Sequence, residues 1–303
     1  MDSWLTTAGL PAALAVVMLG LGLSLTIDDF RRVVRYPRLV LIAMVCQVLL
    51  LPAVCFGLVI LADLRPELAV GMMLLAASPG GVTANLYSHL FGGHVALNVT
   101  LTAVNSVLAA VTLPIVVNLS TDYFLGDTST VGLQFGKVLQ VFAIVLVPVA
   151  VGMAVRVRYP ATADRLTRPV KVASVVVLVA VIAGTILSER DNIADYFLAV
   201  GLVALVFNIV SLAVGYGVPR LAGVARPDAI AAGMEIGIHN SALAIAIAVS
   251  PTLLDNTQIA IPGAVYGILM FFTAAVFGYL VSRLHRRADG QVTEGAAARV
   301  DRD

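Results

Sequence analysis

The alternation of apolar and polar positions divides the chain into about nine long apolar stretches joined by short polar ones. Their approximate limits are 4–26, 39–62, 67–91, 95–118, 134–156, 171–187, 195–217, 228–250 and 259–283. Each holds roughly the 20 apolar residues that carry a helix across the hydrocarbon of a bilayer. No soluble domain, low-complexity block or coiled coil interrupts the series. The pattern predicts an all-α polytopic membrane protein with about nine transmembrane helices in a single domain, residues 1–287. A polar, Gly- and Ala-containing tail, 288–303, is expected to be disordered.

Two stretches contain polar interruptions. The third holds Ser78-Pro79-Gly80-Gly81 and the eighth holds Glu235-Ile236-Gly237-Ile238-His239-Asn240-Ser241. Pro79 lacks an N–H and its ring crowds the carbonyl of Leu75, which it is expected to leave unpaired. Gly80 and Gly81 allow dihedrals that other residues avoid. Unwound backbone at membrane depth persists only inside protein or along a wet cavity. If the halves divide near residue 125, each break falls in the penultimate stretch of its half. Matched breaks of this kind point to a transporter site between inverted repeats. Taken alone, Pro79 also fits an ordinary proline kink.

Composition sharpens the choice of solvent. Of 303 residues, 60% are apolar and 12% charged, whereas a soluble domain carries about 25% charged residues. A net charge of +1 gives no global field for nucleic acid. Of the 19 Lys and Arg residues, three (Arg65, Lys137 and Arg190) fall on one side of the nine-span arrangement and the others on the opposite side. The positive-inside rule then places the N-terminus outside and the C-terminus in the cytoplasm, with the plasma membrane as the expected location. Residues 1–7 have no basic region, so the first stretch is expected to remain as a helix. Cys46 and Cys55 are nine residues apart on one helix, too far for a disulfide, and read as small packing residues.

Glu235 carries the strongest chemical signal. It lies about seven residues into its stretch, where a carboxylate costs roughly 2.5–3.5 kcal/mol on insertion scales. It therefore needs a cation, a proton or a buried donor. Asn98, Thr102 and Asn105 are four and three residues apart and share one helical face. Together with Asn85 and the mid-span Gln47, they offer neutral oxygens suited to a small hard cation. Each could equally be a cross-helix hydrogen bond. His239, four residues after Glu235, would face it on a continuous helix, as a structural partner or as half of a proton-coupling pair. His89, His94 and His285 sit at stretch ends and read as interfacial. The chain has no His-Glu-x-x-His, P-loop or Gly-x-Ser-x-Gly motif, and no enzyme is expected. No organic cofactor, nucleic acid or obligate protein partner is implied.

These motifs resemble signatures of the bile acid:sodium symporter family. The resemblance rests on Ser78-Pro79-Gly80-Gly81-Val82-Thr83-Ala84-Asn85, Val95-Ala96-Leu97-Asn98-Val99-Thr100-Leu101-Thr102 and the break at 235–241. It extends to Met18-Leu19-Gly20-Leu21-Gly22-Leu23-Ser24-Leu25 and Ile261-Pro262-Gly263-Ala264. It implies two inverted repeats whose broken helices cross, in a nine-helix form. The core domain would comprise about 39–118 and 195–283, and the panel domain about 4–26 and 134–187. It further implies sodium as coupling ion at two sites. One maps to Asn85, Asn98, Thr102 and Glu235, with Ala84 contributing its carbonyl. The other maps to Glu235, Ile236, Ile238, His239 and Gln47. Ala84 and Asn98 stand where relatives commonly carry serine, and His239 where glutamine is usual. The implied activity is symport of an organic anion, here a small carboxylate near Gly81, Val82, Thr83, Asn240 and Ser241. Met270-Phe271 replaces the polar pair of bile-acid-binding members, which argues against a steroid. The alternative is a proton-coupled carrier or exporter of organic anions.

Overall fold

The computed structural model describes residues 10–126, 135–170, 172–173, 176, 193–250 and 253–300, and every regular element in it is helical. The elements are α1 (Leu10–Ser24), α2 (Ile27–Arg31), α3 (Pro37–Leu61), α4 (Pro66–Ala77), α5 (Val82–Leu90), α6 (Val95–Leu125), α7 (Phe135–Arg158), α8 (Ile193–Leu221), α9 (Arg226–Gly237), α10 (Ser241–Val249) and α11 (Thr257–Val300). Residues 160–170 are also helical. Among the described residues, four helices are long and apolar enough to cross a membrane: Pro37–Leu61, Val95–Leu125, Phe197–Leu221 and Thr257–Arg283. The third and eighth stretches are each split into two shorter helices, and most of the sixth (171–187) lies outside the described residues.

The two split stretches match in detail. Each is a helix of 12 residues, a short non-helical link and a helix of nine residues. Proline occupies the first turn of both α4 and α9, where its missing N–H costs nothing. Turns with positive φ precede both, at Asp63 (48°) and Gly223 (78°), and follow both, at Gly92 (75°) and Asp255 (47°). Aspartate and glycine are the residue types that tolerate this region.

Burial separates these elements from the long helices. Residues 68–77 of α4 and 229–237 of α9 are buried throughout. The long helices instead expose apolar side chains, among them Leu41 and Leu49 on α3, Leu119 on α6, Leu202 on α8 and Phe272 on α11. An exposed apolar shell around an interior that holds polar residues is the inversion expected of a lipid-facing protein. Within the shell, α4 packs on α6 and α11, while α9 packs along α8 and against α5 and α6. The helices α1 and α7 lie along one another, brought close by Gly22 and Gly152; a Cβ on Gly152 would sit 2.6 Å from the Leu19 carbonyl oxygen. Cys46 and Cys55 are free and buried, as expected.

One boundary differs from the sequence reading. The polar segment after residue 118 is still helical to Leu125, and the Ser120 and Thr121 hydroxyls are satisfied within the helix by bonding back to the carbonyls of Val116 and Asn118. The helix stops at Gly126, with φ of 75°. The helix α11 continues to Val300, through the alanine run Ala296-Ala297-Ala298, whose helix propensity is high.

Candidate functional site

The two breaks bond to each other. The Gly81 N–H donates to the Ile238 carbonyl and the Asn240 N–H to the Pro79 carbonyl, both at 2.8 Å. Gly80 and His239 thus form an antiparallel bridge. Backbone groups that would be orphaned where α4 and α9 stop are satisfied across the junction instead. The Leu75 carbonyl, expected to be free, accepts from Ser78 N–H at 3.0 Å, a tight i→i+3 closure of the last turn. The Ser78 hydroxyl covers the Leu74 carbonyl at 2.9 Å.

Glu235, fully buried on α9, reaches this junction. Its carboxylate accepts from the Thr102 hydroxyl at 2.5 Å, from the Asn105 amide at 3.5 Å and from the backbone of Gly80. Thr102 has one proton, and both Glu235 and the Asn98 carbonyl (3.1 Å) compete for it. The approach to Gly80 explains why glycine stands there. A Cβ would fall 2.2 Å from the carboxylate carbon.

The helical face inferred from Asn98, Thr102 and Asn105 is realised on α6. Thr102 and Asn105 meet Glu235, and Asn98 donates to the Ala231 carbonyl of α9 at 2.6 Å. Asn98 is buried, and its Oδ1 has no donor among the described residues; the same holds for Asn85 Oδ1 on α5. No hydrogen bond joins Asn85 to Glu235. Ala84 is buried beside it.

A second group gathers at the Ser78 carbonyl. Gln47 donates its amide to the carbonyls of Ala76 (3.3 Å) and Ser78 (3.2 Å). It does so from the π-helical turn Cys46–Leu50 of α3, a local widening often found at functional sites. His239 Nδ1 lies 3.1 Å from the same Ser78 oxygen, so that nitrogen carries a proton, and in the neutral tautomer Nε2 is left as an acceptor. Gln47 Oε1 and His239 Nε2 are both buried without donors among the described residues. The helix is not continuous between Glu235 and His239: α9 ends at Gly237, and the imidazole turns to the first break. Ile236 is buried, and the Ile238 carbonyl takes the Gly81 bond. A crevice lined by Gln47, Val48, Pro52, Ala77, Asn105, Thr112 and Val116 touches both groups.

The residues assigned to the anion sit where α5 and α10 begin. Gly81 is the N-cap of α5, and Thr83 is half-buried in its first turn. The Val82 side chain lies outside the described residues. Asn240 caps α10 through Oδ1, accepting from Leu243 N–H at 3.0 Å, and the buried Ser241 hydroxyl has no partner among the described residues.

The sequence reading missed a cluster behind the second break. Asn208 of α8 donates to the Gly237 carbonyl and the Tyr266 hydroxyl, both at 2.7 Å. Tyr266 donates to the Gly237 carbonyl at 2.9 Å, and Thr273 donates to Asn208 Oδ1. Phe207 stacks on the His239 ring at 5.6 Å, and Tyr266 meets it edge-on at 5.4 Å. Asn208 is polar and mid-stretch, as Gln47 is, and that signal was available.

Among the described residues, no three His, Cys, Asp or Glu side chains converge. The donor set is one carboxylate, amide and hydroxyl oxygens, backbone carbonyls and one imidazole nitrogen. Oxygen-rich sets of this kind suit a hard cation over a transition metal.

Residues 11–196 match the model of the sodium bile acid symporter family. The chain is 29% identical over 255 residues to YocS of Bacillus subtilis strain 168, described as an uncharacterized sodium-dependent transporter, covering 84% of this chain and 77% of that protein. It is 26% identical over 276 residues to the chloroplastic probable sodium/metabolite cotransporter BASS2 of Oryza sativa subsp. japonica, covering 89% of this chain and 63% of that one. It is 29% identical over 238 residues to human sodium/bile acid cotransporter 4, covering 78% of this chain and 54% of that one. The chain therefore spans less than two thirds of the rice and human proteins. It belongs to the sodium bile acid symporter family, a family of membrane transporters rather than enzymes.

Proposed function

We propose that the chain is a secondary active transporter that couples entry of a small organic carboxylate to sodium. One observation carries the reading. The buried Glu235 carboxylate sits where two helix breaks meet, and buried acceptors without donors (Gln47 Oε1, Asn85 Oδ1, Asn98 Oδ1 and His239 Nε2) lie on the elements gathered there. A buried acceptor left unpaired costs about 1–3 kcal/mol. A cation satisfies several at once and neutralises the carboxylate. Asn85, Asn98, Thr102 and Glu235 would hold one sodium ion. Glu235, Ile236, Ile238, His239 and Gln47 would hold another.

The architecture follows the same reading. The matched 12- and nine-residue half-helices support two inverted repeats whose broken helices cross. The pairing of α1 with α7, and the contact of α1 with α10, support a panel set against a core of α3–α6 and α8–α11. Nine spans put the N-terminus outside and the C-terminus in the cytoplasm of the cell membrane. A carboxylate would approach Gly81, Val82, Thr83, Asn240 and Ser241, where two helix N-termini present partial positive charge. The names of the relatives cover both metabolite and bile acid cotransport. The buried Met270 and the apolar Phe271 favour a small substrate over a steroid.

The test is uptake of radiolabelled small carboxylates into proteoliposomes. Uptake is expected to require an inward sodium gradient and to be lost in Glu235→Gln. Equal uptake by the wild type in sodium-free buffer would overturn the reading. The bare Nε2 of His239 favours one second reading, in which a proton takes the place of one sodium ion. It predicts uptake driven by a pH gradient alone, abolished in His239→Gln.

A further inference from the structure

The proposed cation sites use carbonyls and side chains at the second break, yet 238–240 contains no proline and no glycine to hold it open. The cluster behind it supplies what the local sequence lacks. Asn208 has two N–H donors and one acceptor oxygen, and all three are engaged: Gly237 O and Tyr266 Oη receive, and Thr273 gives. Tyr266 both accepts and donates. The Gly237 carbonyl thus takes two donors, one from α8 and one from α11, with both of its lone pairs used. Leu212 closes the remaining side, since a Cβ on Gly237 would lie 2.3 Å from its side chain.

Consecutive peptide planes share Cα atoms. Holding the Gly237 carbonyl toward α8 and α11 therefore fixes the peptide plane that links Gly237 to Ile238, and so limits where the Ile236 and Ile238 carbonyls, one plane away on either side, can point. The same side chains set His239, since Phe207 and Tyr266 confine its ring. We propose that Asn208, Tyr266 and Thr273 form a positioning triad that sets the sodium affinity and the ion selectivity of the site at the second break. The proposal rests on the reading that this break holds a coupling cation. None of the three is placed on the ion itself. They act through the Gly237 carbonyl and the His239 ring.

The test is a thermal-shift titration of the purified full-length protein with sodium and, separately, lithium, at ionic strength held constant with choline chloride. Tyr266→Phe removes one hydroxyl and keeps the ring. It is expected to raise the half-saturating sodium concentration about fivefold, the weight of the one hydrogen bond it takes from the Gly237 carbonyl. It should also narrow the ratio of half-saturating lithium to sodium, because a looser cage discriminates less by size. Thr273→Val should do the same and Thr273→Ser, which keeps the donor, should restore wild-type values. A merely structural role would lower the melting temperature without sodium and leave the lithium-to-sodium ratio unchanged. Wild-type half-saturation and selectivity in both Tyr266→Phe and Thr273→Val would overturn the triad while leaving the cation reading intact. If sodium fails to stabilise the wild type, and Glu235→Gln behaves identically, the cation reading falls and takes the triad with it.

Discussion

The break at 78–81 and the break at 238–240 hydrogen-bond to each other, yet they are held open by different means. The first is written into its own residues: Pro79 removes a donor and Gly80 leaves room for the Glu235 carboxylate. The second relies on side chains from α8 and α11, with Asn208 and Tyr266 clamping the Gly237 carbonyl. The contrast teaches that a broken helix can be encoded locally or imposed by its neighbours. The two kinds should then fail differently when mutated. Local substitution should disable the first, whereas the second should yield to changes far away in sequence.

The largest effect is expected at Gly80. Gly80→Ala drives a methyl into the carboxylate, an overpacking cost of up to about 3 kcal/mol, so sodium-dependent uptake should fall about 100-fold. The initial uptake rate in proteoliposomes measures this, and near-normal transport would show that the first break is not held as tightly as the contact implies. Next comes Gln47→Leu, which strips the amide from the Ala76 and Ser78 carbonyls. Two lost hydrogen bonds at about 1 kcal/mol each should raise the half-saturating sodium concentration roughly thirtyfold. An unchanged sodium titration would mean that the first break needs no help from α3. The smallest change is expected from His239→Gln. An amide can keep the donor to Ser78 and supply a harder acceptor than imidazole nitrogen. Half-saturating sodium should fall about two- to fivefold, read by the same titration. A large loss of binding instead would make the imidazole itself essential.

The sequence made the first break readable because proline and glycine act on their own backbone. The stripe of Asn98, Thr102 and Asn105 was readable because helical periodicity puts i, i+4 and i+7 together. Glu235 was readable because a carboxylate in hydrocarbon is costly. The second break's support was not. Asn208 finds its partners 29, 58 and 65 residues away, and such distances are fixed only by packing. Each member alone looks like common cross-helix glue. The free Leu75 carbonyl was misread for a related reason: proline removes the regular partner, but the i→i+3 alternative forms once the chain turns at Ser78. The direction of His239 was not readable, because four-residue spacing brings side chains together only if the helix continues, and here it stops at Gly237.

Both breaks converge on one carboxylate, and the central claim is that this carboxylate binds sodium. Equilibrium binding of radioactive sodium to the purified protein, compared between wild type and Glu235→Gln, tests it most directly. Saturable binding by the wild type and none by Glu235→Gln is the predicted result. Equal saturable binding by both, or no saturable binding by the wild type, would contradict the account.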